Sequence, residues 1–443
     1  MSIRGTRLTA APRPAAAAVV ALALCVLPPS VFVTRTPQVI PAAATIVSAR
    51  AELVEVRGLW VLRSSLVSPQ AIASLVRTAR AGGFNTIFVQ VRGRGEAFYQ
   101  SAIEPRASEL SSHPDTFDPL AETLDRAHAA GLRVHAWINV GLVASAVDLP
   151  DDRSHVLYRH PDWLMVPRAI GQELISVDGH SPAYAGKISR WTRAQIDRVE
   201  GLYLSPILPD AATYSEAIVS ELASRYAVDG VHLDYVRYPG EDFDYSRFAI
   251  SDFRAEIAPA LPLAEKRALD ARAKVDPYAY PDALPGEWAQ FRRARLTSLA
   301  MRLRNAVKRA RPGAVVTAAV VPDADEAYRE RLQDWRTWLE SGILDAVCPM
   351  AYTTDAIAFS QQITRARAIA GRRDVWAGIG AWRLSPEQTI EYIGLARKAG
   401  AAGLILFSYD SLTGPAQARS DYLDAIARSA FQTAAAAAAG VTR

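Results

Sequence analysis

The chain has 443 residues, of which 50% are hydrophobic and 22% are charged, and its formal net charge is +4. This composition is typical of a globular protein and excludes a disordered or fibrous chain. The positive charge does not indicate a nucleic-acid partner, because the first 44 residues hold four arginines and no acid, and the rest of the chain has no net charge.

Residues 1–44 are predicted to be a signal peptide or an N-terminal anchor. Three arginines precede an apolar run at 15–33, and the small residues at 42–44 suit a signal peptidase. A permanent membrane anchor is the alternative interpretation, although two consecutive prolines interrupt the apolar run. Both interpretations predict an exported protein, periplasmic, envelope-bound or secreted, whose only membrane contact is this segment.

Cysteine content predicts a chain stabilised by its core. Cys348 is the one cysteine outside the N-terminal segment, so an intramolecular disulfide is excluded, and it is expected to be a small buried hydrophobe. No zinc-binding spacing is present, and neither a metal nor another cofactor is predicted. Residues 431–443 are of low complexity and predict a frayed tail.

Eight short β-branched and aromatic segments recur along the chain, and segments with helical periodicity or composition separate them. This alternation predicts an α/β fold of the (β/α)8 TIM-barrel class, as one domain over residues 50–430. An open doubly wound sheet is the alternative, but the glycine-rich phosphate loop expected after its first strand is missing. The predicted strands are LWVLR (59–63), TIFVQV (86–91), RVHAWINV (133–140), GVHLDYV (230–236), AVVTAAVV (314–321), DAVCPMAY (345–352), VWAGIGAW (375–382) and GLILFSY (403–409).

Long insertions are predicted after the third and fourth strands, roughly at 141–225 and 240–311 less their helices. Loops that follow strands lie at the carboxyl-end face of a barrel, where active sites of this fold are found. The two insertions are therefore expected to form walls around an extended ligand.

Polar and aromatic side chains are concentrated where the predicted strands end. In the fourth strand, DGVHLDYVRYP, the two-residue period directs His232 and Asp234 into the barrel, with Asp234 nearer the mouth. The candidate catalytic acids are Asp234, Glu96, Asp355 and Asp410. The side chains expected to bind substrate are Arg92, His135, Trp137, Asn139, His232, Arg237, Tyr238, Tyr352 and Trp382.

Structural roles are open for several of these residues. Asp234 could be a buried acid paired with an arginine, and the two histidines could be hydrogen-bonded layers of the barrel interior. The tryptophans could be packing residues, and Asp410 could cap the last helix. Acids, arginines, amides and aromatics around one mouth favour glycoside chemistry, which needs two carboxyls of different pKa and aromatic platforms for sugar rings.

Six segments carry a resemblance to a known family: RGLWVLR (57–63), FNTIFVQVRGRGEAFYQSAIEP (84–105), FDPLAETLDRAHAAGLRVHAWINV (117–140), YAVDGVHLDYVRYP (226–239), DAVCPMAYTTD (345–355) and GLILFSYD (403–410). The chain resembles the glycosyl-hydrolase-like 10 family of exported bacterial barrels, some of which act on peptidoglycan glycan strands. The resemblance implies a glycan cleft, hydrolysis of a polysaccharide, and a leading catalytic role for Asp234.

The second acid departs from the patterns of related proteins. Some relatives carry two consecutive acids where this chain has Asp234 and Tyr235, and the fourth strand is distantly similar to family 18 chitinases, whose acid would fall at Val236. We therefore expect Asp234 to act as nucleophile or base, while Glu96, Asp355 or Asp410 donates the proton.

Two alternatives remain at this point. An N-acetyl group of the substrate could itself attack, with Tyr352 and Asp234 orienting its amide. A barrel that binds glycans without cleaving them is the alternative in another class. A deacetylase or lyase lacks the expected metal ligands, and the oligomeric state is left open.

Overall fold

The structure, a computed structural model, describes residues 54–431. The predicted export segment at 1–44 lies outside the described residues, as does the predicted tail apart from Phe431. Within 54–431, no helix combines the length and the apolar character needed to cross a membrane.

Eight parallel strands close into a barrel, which confirms the predicted fold. Their order around the barrel is β1-β10-β9-β8-β7-β6-β3-β2, and β1 completes the ring by pairing with both β10 and β2. Closure excludes the open doubly wound sheet. The barrel strands are β1 (Val56–Val61), β2 (Thr86–Arg92), β3 (Arg133–Asn139), β6 (Gly230–Asp234), β7 (Val315–Val320), β8 (Ala346–Ala351), β9 (Asp374–Ile379) and β10 (Gly403–Leu406).

Several helices begin where the sequence places a small polar residue before a proline. Ser68, Asp118 and Ser385 each accept a hydrogen bond from a backbone N–H of the first turn, and the following proline occupies the first helical position. The helices are α1 (Pro69–Ala81), α2 (Pro119–Ala129), α3 (Val156–Arg159), α4 (Arg168–Leu174), α5 (Pro182–Ala194), α6 (Pro209–Arg225), α7 (Arg247–Ile257), α8 (Leu263–Arg272), α9 (Ala279–Ala283), α10 (Pro285–Ala310), α11 (Ala324–Glu330), α12 (Trp335–Glu340), α13 (Ala356–Ala370), α14 (Pro386–Lys398), α15 (Tyr409–Thr413) and α16 (Tyr422–Ile426).

Side chains alternate between two apolar layers along each barrel strand. Val231 and Leu233 of β6 join the large layer between strands and helices, whereas His232 contacts Trp60 and Phe88 inside the barrel. The interior is filled mainly by aromatic rings, so it is a packed core and not a pore. The remaining polar positions of β6 are therefore at its end, where the barrel opens.

Both predicted insertions are present, and each folds over an apolar cluster of its own. The first contains α3, α4, α5 and a two-stranded antiparallel ribbon, β4 (Leu142–Ala144) with β5 (Leu202–Tyr203), which the sequence analysis did not predict. Strands of three and two residues are too short to show an alternating pattern. The second insertion contains α7, α8 and α9 before α10 returns the chain to the barrel.

Arg92, expected to contact substrate, instead forms a buried ion pair behind the mouth. Its side chain is only 2% exposed, and Nη2 and Nε donate to the Glu104 carboxylate over 2.7 and 2.8 Å. The Tyr214 hydroxyl of α6 donates to the same carboxylate over 2.8 Å. The pair thus joins β2, the loop after it and α6, and both charges depend on each other because water does not reach them.

We expect Glu104→Ala to lower the free energy of unfolding by about 3–5 kcal/mol, since it leaves the Arg92 charge buried and unpaired. Glu122→Ala breaks an exposed pair with Arg126 on α2 and is the matched control. That change should lower the free energy by about 0.5 kcal/mol. Urea unfolding followed by circular dichroism measures both, and equal losses for the two variants would contradict a structural role for the buried pair.

Candidate active site at the barrel mouth

Asp234 ends β6 with its carboxyl at the barrel opening. The residue is 6% exposed, and its two carboxyl oxygens accept hydrogen bonds from Tyr235 N–H at 2.7 Å and from Trp137 Nε1–H at 3.1 Å. Burial raises the pKa of Asp234 despite the opposing Arg237 guanidinium, whose Nη1 lies 3.6 Å from Oδ1. A carboxyl in this environment holds its proton to higher pH than an exposed aspartate.

Tyr235 turns the chain out of β6 in a conformation that bulky residues rarely adopt. Its φ is 50°, in the left-handed region, and its carbonyl accepts a hydrogen bond from Gly141 N–H at 3.1 Å. Such a conformation costs about 1–3 kcal/mol and persists only where surrounding contacts hold it. Here it places the Tyr235 ring in the mouth, with the Arg237 guanidinium 4.4 Å from the ring centre.

Glu200 is a second carboxylate at the mouth that the sequence analysis missed. Arg237 Nη2 donates to one of its oxygens at 3.2 Å, and the Tyr203 hydroxyl donates to the other at 2.8 Å. Partial burial raises the pKa of Glu200, but Arg237 outweighs this effect and holds the pKa below its ordinary value. The side chain remains 37% exposed, so an ionised carboxylate faces the opening.

The β4–β5 ribbon brings Glu200 to this position. Glu200 precedes β5, and β5 pairs with β4, which begins three residues after the end of β3. Gly201 is required for this close approach, because a Cβ there would lie 2.2 Å from the carbonyl oxygen of Ala144. The sequence signal for Glu200 was weak, since it lies in a loop whose placement depends on a ribbon without a detectable strand pattern.

Glu200 and Tyr235 line a cavity of about 300 Å³, which we call the mouth cavity, whereas Asp234 and Arg237 are not among its lining residues. Trp137 and Asn139, both expected from the sequence, line it, and Trp137 Nε1–H also donates to Asn139 Oδ1 at 3.1 Å. Asp234 is bonded to Trp137 from below. The full lining is Leu62, Arg63, Gln90, Gly93, Arg94, Trp137, Asn139, Leu142, Ser145, Glu200, Tyr235 and Phe407.

An aromatic edge borders the mouth cavity on the β9–β10 side. Trp382 is 43% exposed, and its ring packs 5.2 Å from Phe407, which lines the cavity, and 5.0 Å from Tyr352. Tyr352 is half-buried and also packs against Trp60. The exposed part of the Trp382 ring can therefore hold an apolar sugar face next to the cavity.

Two expected substrate contacts, His135 and His232, lie in the barrel interior. His135 packs between Phe88 and Trp376, and burial lowers its pKa to about 3. His232 accepts from Trp60 Nε1–H at 3.1 Å, so its other ring nitrogen donates to Thr317 Oγ1 at 2.8 Å. Both histidines therefore lie in the barrel interior, where His232 is hydrogen-bonded as that interpretation requires and His135 Nδ1 has no partner among the described residues.

Tyr238 is likewise displaced from the mouth. It has no exposed surface, and its hydroxyl donates to the carbonyl of Arg292 at 3.4 Å. Val236, where the chitinase-like acid would fall, is also fully buried in the core. The chain therefore turns inward directly after Tyr235, and Arg237 is the side chain of this segment that reaches the two carboxyls.

Two of the expected partner acids are engaged in local structure. Asp355 caps α13 by accepting from the N–H groups of Ile357 and Ala358 at 2.8 and 3.1 Å. Asp410 does not cap α15 but accepts from Leu62 N–H at 2.7 Å and from the hydroxyls of Ser64 and Ser65. These bonds tie the end of β10 to the loop after β1.

Glu96 lies half-buried in the tight turn after β2, near the rim of the mouth cavity. Burial and then the neighbouring Glu109 raise its pKa to about 7, whereas Arg63 and Arg94, which line the cavity, oppose the shift. Asp355 and Asp410 use their carboxyls for hydrogen bonds within a helix cap and a loop. Of the three partner acids predicted from the sequence, Glu96 is therefore the one whose carboxyl makes no such bond among the described residues.

The raised pKa of Glu96 predicts how the stability of the fold changes with pH. Between its ordinary value of 4.5 and about 7, the folded state binds this proton more tightly than the unfolded chain. Its contribution to stability is therefore present below pH 4.5 and lost as pH rises through 7. We expect a carboxyl ¹³C NMR titration of Glu96 to have its midpoint near 7, and Glu109→Gln to lower that midpoint. A midpoint near 4.5 in the unaltered chain would contradict the assignment.

The sequence matches the model of a known protein family and is similar to proteins of that kind. The sequence model of the family described as glycosyl hydrolase-like 10 matches residues 55–376. Glycosyl hydrolase DigH of Escherichia coli K12 is 27% identical over 428 residues, covering 87% of this chain and 82% of the relative. Glycosyl hydrolase YngK of Bacillus subtilis 168 is 23% identical over 308 residues, covering 64% of this chain and 49% of YngK.

Solved structures share the fold at lower identity. The glycoside hydrolase domain of PgaB (BpsB) from Bordetella bronchiseptica superposes with a TM-score of 0.57 at 17% identity, covering 84% of this chain and 97% of that one. A β-galactosidase from Marinomonas ef1 gives a TM-score of 0.57 at 14% identity, covering 86% and 60%. At such identities these likenesses support the barrel and do not transfer residue roles.

Proposed function

Because the chain belongs to the glycosyl hydrolase-like 10 family, we propose that it is an exported enzyme that hydrolyses glycosidic bonds of a polysaccharide. Peptidoglycan glycan strands are the proposed substrate. The observation that carries the proposal is a pair of carboxyls held by the Arg237 guanidinium: Glu200 lines the mouth cavity, and Asp234 is bonded to Trp137, which lines it as well. Structural neighbours that are glycosidases support the same reaction class.

The two carboxyls have pKa values displaced in opposite directions, as acid and base catalysis of glycoside cleavage requires. Burial raises the pKa of Asp234, while Arg237 overcomes partial burial to lower that of Glu200. Asp234 is therefore proposed to donate a proton to the leaving oxygen, and ionised Glu200 to attack the anomeric carbon or activate a water. This assignment reverses the role that the sequence suggested for Asp234.

The surrounding side chains suit a carbohydrate. Trp137 and Tyr235 present rings inside the mouth cavity, Asn139 presents an amide, and Trp382 extends the aromatic surface beyond the edge. Rings that pack against sugar faces and amides that bond hydroxyls are the usual elements of such sites. The first insertion contributes Leu142, Ser145 and Glu200 to the lining of the cavity.

Mass spectrometry of products is the direct test. The full chain would be incubated with peptidoglycan with and without stem peptides, chitin oligomers, xylan and other β-linked chains. Cleavage is expected for the unaltered chain, and Asp234→Asn and Glu200→Gln should each slow it by about 10²–10⁴-fold. Asp355→Asn, which alters an exposed helix cap, is the control and should retain activity.

Two outcomes would contradict this proposal. Glycan binding without turnover on any substrate would favour the non-catalytic barrel. Unaltered activity of Glu200→Gln would remove it as the partner of Asp234 and would leave Glu96 for that role.

The pH dependence follows from the same assignment. Activity requires a protonated Asp234 and an ionised Glu200, so kcat/KM should fall as pH rises through the raised pKa of Asp234 and as it falls through the lowered pKa of Glu200. The residual activity of Glu200→Gln should lose the acidic limb, and that of Asp234→Asn the alkaline limb. If Glu200→Gln instead lost the alkaline limb and Asp234→Asn the acidic limb, the roles of proton donor and base would have to be exchanged.

A further inference from the structure

A second cavity, of about 630 Å³, lies within the first insertion. Its lining includes the arginines Arg153, Arg190 and Arg193 and the apolar side chains Leu157, Tyr158 and Leu202, without any carboxylate among the described residues that form it. We call it the basic cavity. Its volume is typical of cavities that bind small organic ligands.

The three arginines lack the ion pairs that other arginines of the insertions make. Arg168 pairs with Asp282, and Arg272 pairs with Asp276. In contrast, the Arg153 guanidinium lies 4.3 Å from the centre of the Tyr158 ring, and Arg193 uses Nε to donate to the Ala146 carbonyl at 3.0 Å. All three arginines are exposed residues, and none of them pairs with a carboxylate within residues 54–431.

A cavity in the second insertion is also lined by cations, but an acid, Asp270, lies among its lining residues. It measures about 710 Å³, and two of its three cationic side chains, Arg254 and Lys266, pair with Asp270 at 2.7 and 2.6 Å, whereas Arg247 has no carboxylate partner among the described residues. The positive charge of that cavity is therefore compensated in part. In the basic cavity the only lining residue with an acidic partner is His180, 3.4 Å from Asp162, so the guanidiniums remain available to an anion.

The basic cavity and the mouth cavity are built on the same ribbon. Leu142 and Ser145 line the mouth cavity, whereas Leu202, the β5 partner of Ala144, lines the basic cavity. Arg193 contacts Ala146, the next residue after Ser145. The two cavities therefore share the ribbon as a common wall.

We propose that the basic cavity binds a carboxylate-bearing unit of the same glycan whose scissile bond occupies the mouth cavity. Planar guanidiniums bind carboxylates through paired hydrogen bonds, and the apolar floor suits a ring face. The inference rests on the proposed function, and it adds a substrate class: glycans in which acidic units occur a short distance from the bond that is cleaved.

Binding to the full chain carrying Asp234→Asn tests this without hydrolysis. The ligands are peptide-free peptidoglycan strands with free lactyl carboxylates and the same strands after amidation of those carboxylates, measured by isothermal titration calorimetry. Amidation should weaken binding at least about tenfold, because charged hydrogen bonds are lost. In Arg153→Gln/Arg190→Gln both ligands should bind with equal, weaker affinity, whereas the control Arg254→Gln should keep the discrimination.

N-acetylmuramic acid, the single acidic unit of these strands, separates the two sources of the carboxylate. For a subsite of one continuous glycan, it should compete with the strands at the weaker affinity of a single unit. Binding of N-acetylmuramic acid that leaves strand affinity unchanged would overturn the proposal, since the cavity would then serve a separate acidic ligand.

Other outcomes distinguish a failure of this inference from a failure of the proposed function. Equal affinity for free and amidated strands, or discrimination that survives in the double variant, overturns the subsite even if the unaltered chain cleaves strands. Charge-dependent binding that is lost in the double variant supports the subsite even if no strand is cleaved, and that combination refutes only the proposed enzyme.

Discussion

The arrangement of the barrel mouth depends on one buried cation, the Arg237 guanidinium, which lies close to two carboxyl groups. Arg237 reaches Asp234 and Glu200 from a position that water hardly penetrates, and a single guanidinium compensates only one negative charge. The charge balance is met when Glu200 is ionised and Asp234 keeps its proton, which agrees with the directions of both pKa shifts. The opposite pKa shifts of the two carboxyls thus follow from the number of charges and from burial, without any special property of either carboxyl.

The barrel and the insertions contribute different parts of this arrangement. β6 and the left-handed turn at Tyr235 hold Asp234 and Arg237 rigidly, because their backbone bonds to β3 leave the segment little freedom. Glu200 comes from an insertion whose ribbon is anchored to the same strand β3. One rigid element therefore positions both the barrel acid and the loop acid, and the insertion that supplies the second acid also forms the basic cavity beside it.

The strands, the closed barrel and the place of Asp234 could be predicted because they follow from local periodicity and from the rule that parallel strands end at one face. The burial of Arg92 could not be predicted, because its partner Glu104 lies in the loop after β2 and no local pattern marks that pair as buried. Glu200 was missed for a related reason, since only the fold of a short ribbon brings it to the mouth. The positions of His135 and His232 were left between two interpretations, because the pattern defines the direction of a side chain and not its depth.

The two histidines inside the barrel affect the pH range in which the fold is stable. Burial lowers the pKa of His135 to about 3 and that of His232 well below its ordinary 6.5, so both are neutral in the folded protein. The unfolded chain takes up these protons as pH falls below 6.5 while the folded barrel does not, and acid therefore shifts the equilibrium toward unfolding. Part of the sensitivity of the molecule to acid therefore originates in the closed centre of the barrel, far from any surface that a ligand can reach.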